Sequence, residues 1–381
     1  AGKRSWRRWP AALRLKPMRF CRPRRLMACA VIWRKLLSTQ PVLTDGPSAC
    51  NFLSMKSNEC LNESEKHRTR LVVICSPTAT GKTSLAIELA EASGGEIVNA
   101  DSLQVYRYLN IGTAKPTREE RARVPHHLID VVDPDEEFNA AIYAGQARAV
   151  IDRLADAGKP VFVVGGTGLY IRALLQGIIE TPPVDENIRN YYKALRDRFG
   201  RQYIYGLLEQ RDPQAARRIN VNDSVRVIRA LEVLDQSGQS IVEMQRNHLF
   251  ADCPYDVCKI GLTVERAELK ERIAFRSAKM MEAGLIEEVR GLLAQGYSPD
   301  IKPLQSLGYK QVVDFIHGIN DRERTLDLVV RETWRYAKRQ MTWFLADKTI
   351  RWFTPDQYQA IQKTVESFLN IKISIRTNEP V

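Results

Sequence analysis

The sequence predicts an α/β fold: a parallel sheet with helices on both faces, of the P-loop NTPase-like kind, interrupted by an all-helical insertion domain. Three observations predict it. Short β-rich runs alternate with helical periodicity from Leu71 onward. The first run leads into "SPTATGKT", a near match to the G-x-x-x-x-G-K-[ST] phosphate-binding loop, and a helical pattern follows. After Gly177 about sixty residues pass with polar, helical character and no buried-strand run. Strands separated by helices pair in parallel and are covered on both faces. Such sheets bind their ligands at the carboxyl ends of the strands.

In chain order, "LVVIC" at 71–75 reads as the first strand because it is a short, continuous apolar run closed by a turn signal. "TSLAIELAEA" carries the first helix, "EIVNA" at 96–100 a second strand, and "HLIDVV" at 127–132 a third. The helical "NAAIYAGQARAVIDRLADAG" at 139–158 then precedes the strand "PVFVVGG" at 160–166. The insertion ends where the β-rich "DVCKIGL" at 256–262 returns, and Glu265 to Leu345 reads as mostly helical. These shifts divide the chain into a basic segment at 1–54, a first part of the catalytic domain at 71–180, the helical insertion at 181–250, a second catalytic part at 251–355 and a tail at 356–381.

A chain of 381 residues can bury a large core. Its formal charge of +12 points to a polyanion partner until its distribution is considered. Residues 1–55 hold 12 Lys or Arg and one acid, Asp45, whereas the remainder has 45 basic and 44 acidic residues. The body is nearly neutral, so any polyanion must be held by local patches. The segment 1–54 is expected to be a disordered or non-native extension, with an organelle transit peptide as the other reading. The first expectation places the protein in the cytoplasm and the second in the mitochondrion. Its apolar run "LMACAVIW" is too short to span a bilayer and no other stretch qualifies, so no membrane role is expected. Seven cysteines without paired C-x-x-C spacing fit a reducing compartment and argue against structural zinc.

In a phosphate-binding loop, successive backbone N–H groups and the first turn of the next helix point at one anion. Residues Ser76, Pro77, Thr78, Ala79, Thr80, Gly81, Lys82 and Thr83 would form that cradle. Lys82 would add a charge on the phosphates and the Thr83 hydroxyl would ligate Mg²⁺. Ser76 stands where the motif has its first glycine. Because Pro77 follows, Ser76 is pushed to extended backbone that any residue can adopt, so the remaining objection is steric crowding of the phosphates.

"DSLQVY" directly follows the second strand, which puts Asp101 on the edge that carries the loop. A carboxylate there can act as a general base, cap a helix or ligate Mg²⁺. Three further stretches bear on the choice: "LNIGTAKPT" at 109–117, "VPHHLIDVVDP" at 124–134 and "GGTGLY" at 165–170. In this order and spacing, together with "SPTATGKT" and "DSLQVY", they resemble the tRNA dimethylallyltransferase family, also called tRNA isopentenyltransferases. The resemblance continues through "INVNDSVRVIRALEV" at 219–233, "SLGYKQV" at 306–312 and "RYAKRQMTWF" at 335–344. Ser76 departs from the family's usual glycine, and Val225 stands where the family often has a basic or polar residue.

The resemblance implies transfer of the dimethylallyl group from dimethylallyl diphosphate to N6 of adenosine 37, beside the tRNA anticodon, with Mg²⁺ as cofactor and the target base flipped out. It implies Asp101 as base, Thr78 near the reacting atoms and Arg276 on the diphosphate. It also implies that Ser102, Leu103, Gln104 and Thr167 surround the adenosine with Asp101. The segment Val225, Arg226, Val227, Ile228 and Arg229 would touch the anticodon stem-loop. The Gln104 amide suits adenine because it offers a donor and an acceptor together. Arg331, Arg335 and Lys338, like Arg272, Arg276 and Lys279, fall at helical spacing and form the local basic stripes a neutral body needs. A monomer is expected. The rival reading is a P-loop small-molecule kinase or NTPase, in which "HLIDVVD" would supply Asp130 or Asp133 as the acid of a Walker-B-like strand.

Overall fold

Five consecutive apolar side chains with no exposed face, Leu71 to Cys75, demand a strand covered from both sides, and they form most of β1 (Thr69–Cys75). A computed structural model describes residues 68–179, 181–247 and 253–373; the basic segment 1–54 and the expectations attached to it lie outside these. After β1 come α1 (Lys82–Ser93), β2 (Glu96–Asn99), α2 (Arg118–Arg123), β3 (His126–His127), α3 (Ala140–Asp156), β4 (Val161–Gly165) and α4 (Gly168–Gln176). The helical arm holds α5 (Glu186–Phe199), α6 (Arg201–Arg211), α7 (Pro213–Ala216), α8 (Ser224–Ser237) and α9 (Ile241–Asn247). Then follow β5 (Tyr255–Leu262), α10 (Arg266–Glu282), α11 (Leu285–Ala294), α12 (Tyr309–Ile316), α13 (Arg322–Leu345), β6 (Arg351–Phe353) and α14 (Tyr358–Leu369).

The sheet has the order β3-β2-β4-β1-β5-β6, and every pairing is parallel. Cys75 pairs with Gly165 on one side and Gly261 on the other, so three central strands end level with one another. Alternation of side chains sends Val73, Val98 and Val163 to one face and Val72, Ile97 and Val164 to the other. The first face is buried under α3, α4, α11 and α12, the second under α1 and α14. The arm has a core of its own, built on Tyr192, Ile204, Leu208, Val227 and Leu231.

Three expectations change. The run "HLIDVV" yields only a two-residue strand, because Leu128 and Asp130 take positive φ of 61° and 57°. The chain bends there so that the Asp130 carboxylate lies between Lys115 and Arg121. The short β6, not read from sequence, pairs with β5 through three residues. The stretch 356–381, read as a tail, carries α14, whose Ile361 and Val365 are fully buried against Val72 and Ile74. Replacing Ile361 by Ala should therefore cost about 2–5 kcal/mol of unfolding free energy in urea titration, where an unpacked tail would show no change.

Candidate active site

At the level end of the central strands the chain leaves β1 through Ser76 and enters α1 at Lys82. Ser76 and Pro77 are buried, and the Ser76 and Thr80 hydroxyls bond to each other at 2.7 Å while Thr80 donates to the Pro77 carbonyl at 3.0 Å. The Ser76 side chain is thus turned into the protein, which removes the expected crowding of the phosphates. The strain sits elsewhere: Ala79 and Gly81 take φ of 66° and 92°. At Gly81 an added Cβ would meet nothing within 4 Å, so glycine serves backbone freedom there and not space. Gly81 also leaves the start of α1 without a side-chain cap, so its first N–H groups remain free for an anion.

A buried amide that sequence reasoning missed holds this loop. Gln340 of α13 accepts from the Thr78 N–H at 3.0 Å and donates to the Gly166 carbonyl at 2.8 Å, tying the loop to the "GGTG" turn. Its position inside "RYAKRQMTWF" was the available signal, but a glutamine on a helix does not announce such a role. The turn is a place of close approach: a Cβ at Gly165 would lie 2.1 Å from the Ala100 carbonyl oxygen, one at Gly166 2.3 Å from Gln340 Nε2, and one at Gly168 2.2 Å from Trp343 Nε1.

Thr78, Ala79, Lys82, Thr83, Asp101, Ser102, Leu103, Gln104, Arg276, Tyr336 and Gln340 line one cavity of about 430 Å³. Lys82 donates to the Pro77 carbonyl at 3.2 Å. Burial and the neighbouring Arg276 pull its ammonium down to a pKa of about 8, against the opposing pull of Asp101. Burial likewise lowers Arg276, with Asp101 countering. Three charges thus share a dry volume that has more positive charge than it can neutralise. Asp101 Oδ1 accepts from the Leu103 and Gln104 N–H groups at 2.9 and 3.3 Å. No helix begins between Asn99 and Arg118, so these bonds make an Asx turn and not the expected helix cap, and they occupy one oxygen; no protein donor among the described residues reaches Oδ2.

The other expected site residues divide. Thr167 Oγ1 accepts from the Ser102 N–H at 3.0 Å, so it joins the two turns that flank Asp101. Gln104 Nε2 donates to the carbonyls of Thr113 and Ala114 at 3.1 and 3.2 Å. Both amide hydrogens are engaged, so Gln104 offers only its carbonyl oxygen, and the bidentate pairing expected of it is not available. On α8, Val225 and Arg226 are exposed, but Val227 and Ile228 are buried in the arm's core and Arg229 is turned inward. The contact surface of that segment thus falls to Val225 and Arg226. Of the two basic stripes, Arg276 reaches the cavity, while Arg272 and Lys279 pair with Glu268 and Glu282, and Arg331 and Arg335 share Glu332.

The cavity adjoins two others. Ala114, Pro116, Arg276 and Met280 also line a pocket with Arg107, Arg118 and Arg121. Arg339 is shared with a broad groove bearing Arg226, Lys259, Arg335, Lys338 and the indole of Trp343. Asp130 and Asp133, the acids of the rival reading, pair with Lys115, Arg121 and Arg107 and do not line the cavity. Among the described residues no group of three or more His, Cys, Asp or Glu is set to hold a metal. A cation here would have to be one ligated mainly by its substrate's oxygens, with Thr83 as the protein hydroxyl. Mg²⁺ has that habit, since it keeps waters and binds through substrate phosphates.

Fold and site define a class: a parallel α/β protein whose cavity brings the loop 76–83, with Lys82, together with the Asp101 carboxylate and adjoins a basic groove. The comparisons agree with this. The family model "IPP transferase" matches residues 104–347, and "Isopentenyl transferase" matches 69–131. The tRNA dimethylallyltransferase 2 of Syntrophus aciditrophicus is 52% identical over 302 residues, covering 79% of this chain and 97% of that protein. The tRNA dimethylallyltransferase of Geobacter sulfurreducens is 49% identical, covering 73% and 89%. Among solved structures, the full-length tRNA isopentenylpyrophosphate transferase of Bacillus halodurans superimposes with a TM-score of 0.58 at 38% identity, covering 79% of this chain and 97% of that one. A eukaryotic dimethylallyltransferase acting on tRNA gives 0.67 at 25% identity over 81% of each chain. The chain belongs to the tRNA dimethylallyltransferase family and is an enzyme of tRNA prenyl transfer.

The lowered Lys82 carries a testable consequence. Bound diphosphate favours the charged ammonium, which the free protein loses above a pH of about 8. Affinity for inorganic diphosphate, measured by calorimetry, should fall by up to about tenfold per pH unit above that point. Lys82→Arg, charged throughout, should lose this step while retaining whatever pH dependence belongs to the ligand.

Proposed function

We propose that the cavity transfers the dimethylallyl group of dimethylallyl diphosphate to N6 of adenosine 37, next to the tRNA anticodon, and releases diphosphate. The observation that carries this reading is the free Oδ2 of Asp101 in the same cavity as Lys82, Thr83 and Arg276. A phosphate loop supports binding of a diphosphate as readily as a nucleotide. A carboxylate facing it supports chemistry on the group attached to that diphosphate.

In the proposed step the adenine N6 attacks C1 of the dimethylallyl group, the C–O bond to diphosphate breaks, and the leaving group takes that electron pair. The exocyclic amine is weakly basic because its lone pair is delocalised, so its proton passes to Asp101 Oδ2 as the C–N bond forms. Lys82, Arg276 and the free N–H groups of the loop stabilise the charge that grows on the departing oxygen. Thr83 would hold a Mg²⁺ ion, whose positive charge would help to neutralise that leaving group. Thr78 lines the same cavity, and in this reading it stands near the reacting atoms. The Gln104 carbonyl oxygen can accept from N6, and Tyr336, whose phenol burial and the Asp101 charge keep protonated, lines the same cavity.

An adenine stacked in an anticodon loop must be extruded to reach such a cavity. The groove at Arg339, with its cluster of cations and Trp343, suits the RNA, while the pocket behind Arg276 suits the diphosphate donor. Each substrate then has its own way in. One chain carries the loop, the base and both approaches, so we assign the activity to a monomer. No helix among the described residues is long and apolar enough to cross a membrane, and we place the enzyme in the cytoplasm, where its tRNA substrate is found.

Incubation with labelled dimethylallyl diphosphate, Mg²⁺ and unmodified tRNA should place label in the RNA at adenosine 37. Thermal protection by ATP, with none from dimethylallyl diphosphate plus tRNA, would instead favour the kinase reading. Asp101→Ala should lower kcat by about 10²–10⁴ and leave tRNA affinity within a few-fold; a fully active variant would remove Asp101 from the role of base.

A further inference from the structure

At the root of the helical arm lies a cluster of charges that the transfer chemistry does not use. Glu232 of α8 is 0% exposed. Its Oε1 accepts from Arg229 Nη1 at 2.8 Å and from the Asp185 N–H at 3.0 Å. Its Oε2 accepts from Arg189 Nη2 at 3.1 Å and Nε at 3.3 Å. The far side of the Arg229 guanidinium donates through Nη2 to Thr181 Oγ1 at 2.8 Å and to the Pro182 carbonyl at 2.7 Å. The cluster thus joins α8, the first arm helix α5, and the segment 181–185 by which the chain enters the arm.

A buried carboxylate is tolerated only when its charge and lone pairs are met, and removing a partner from such a pair is far costlier than removing a surface one. Arg229 lies three residues before Glu232 on the same helix, so the donors that reach Glu232 from elsewhere are Arg189 of α5 and the Asp185 N–H, and with the bonds from Arg229 to Thr181 and Pro182 they set how α8 lies against α5 and the segment 181–185. The same helix α8 presents Arg226, whose side chain is 70% exposed and lines the basic groove beside Arg335, Lys338 and Arg339. Arg229, three residues further on, is instead drawn into the latch by Glu232, Thr181 and the Pro182 carbonyl.

We propose that Arg229 and Glu232 latch α8 against α5 and the entry segment 181–185 in the orientation that presents Arg226 to the groove, so that Arg229 is a positioning residue for RNA and not an RNA contact. This rests on the groove being the tRNA site. The latch makes the groove's cations converge before RNA arrives, which lowers the ordering cost of binding.

The test is the salt dependence of unmodified tRNA binding, measured with the full chain by filter binding. Arg226→Ala should flatten the slope of log Kd against log salt by about one contact. Arg229→Gln should weaken binding about tenfold at every salt concentration with the slope unchanged, and kcat at saturating tRNA should stay within about twofold. Glu232→Gln discriminates by sign, because removing a negative charge strengthens tRNA binding through electrostatics alone, whereas loosening the latch weakens it. Should either variant fail to fold, Thr181→Val removes one bond of the latch and should weaken binding about twofold to threefold. The Asp185 amide of the unaltered protein should meanwhile exchange with solvent as slowly as the interior amides of α8. A slope lowered by Arg229→Gln, tighter or unchanged binding in Glu232→Gln, no effect of Thr181→Val, or a fast Asp185 amide would each overturn the latch. Absence of tRNA binding by the unaltered protein would overturn the tRNA reading itself, which keeps the two failures apart.

Discussion

One buried amide, Gln340, couples the two halves of the site. Its oxygen holds the Thr78 N–H of the phosphate loop and its nitrogen holds the Gly166 carbonyl of the "GGTG" turn, 262 and 174 residues away in sequence. A buried primary amide left half satisfied is costly, so both turns are held at one distance from α13. The loop conformation itself needs such a support, since Ala79 sits at positive φ without being glycine. The glycines of the turn answer the same constraint from the other side, because a Cβ at Gly166 would strike the Gln340 amide.

The electrostatics of the cavity follow from that geometry. With α13 and α10 closing over the loop, Lys82 and Arg276 lose water and face each other with Asp101 as their counter-charge. The free protein relieves the excess by weakening its hold on the Lys82 proton. In the proposed reaction a bound diphosphate would supply the missing negative charge and restore the ammonium. The same burial leaves a single free carboxylate oxygen, on Asp101, in the place where the proposed transfer generates a proton.

The arm solves a separate problem. A nearly neutral body cannot attract RNA broadly, and four cations of α10 and α13, namely Arg272, Lys279, Arg331 and Arg335, are already paired with nearby glutamates. The groove gathers cations from α8, β5 and α13, elements distant in the chain, and Arg226 is the arm's contribution to it. Fixing the orientation of α8 with a buried ionic cluster, as the latch does, gives a direction as well as a contact, because the bonds form in one arrangement only.

Much of this was legible in the residues. Continuous apolar runs between helical stretches named the parallel sheet, "SPTATGKT" named the anion cradle, and the order of short motifs placed Asp101 and Arg276 in one site. These are local properties: a strand's burial on both faces and a loop's backbone demands are written in adjacent residues. What local reading missed was decided by partners far away in the chain. Asp130 left the strand for Lys115 and Arg121, Gln104 engaged its amide hydrogens on the 113–114 loop, and Arg229 turned from the surface to Glu232. The sequence by itself determined the fold class, the loop between β1 and α1 and the acid at the strand end. Only the tertiary structure decided which polar side chains stayed free to act, because that depends on which buried donors and acceptors the packing brings within reach.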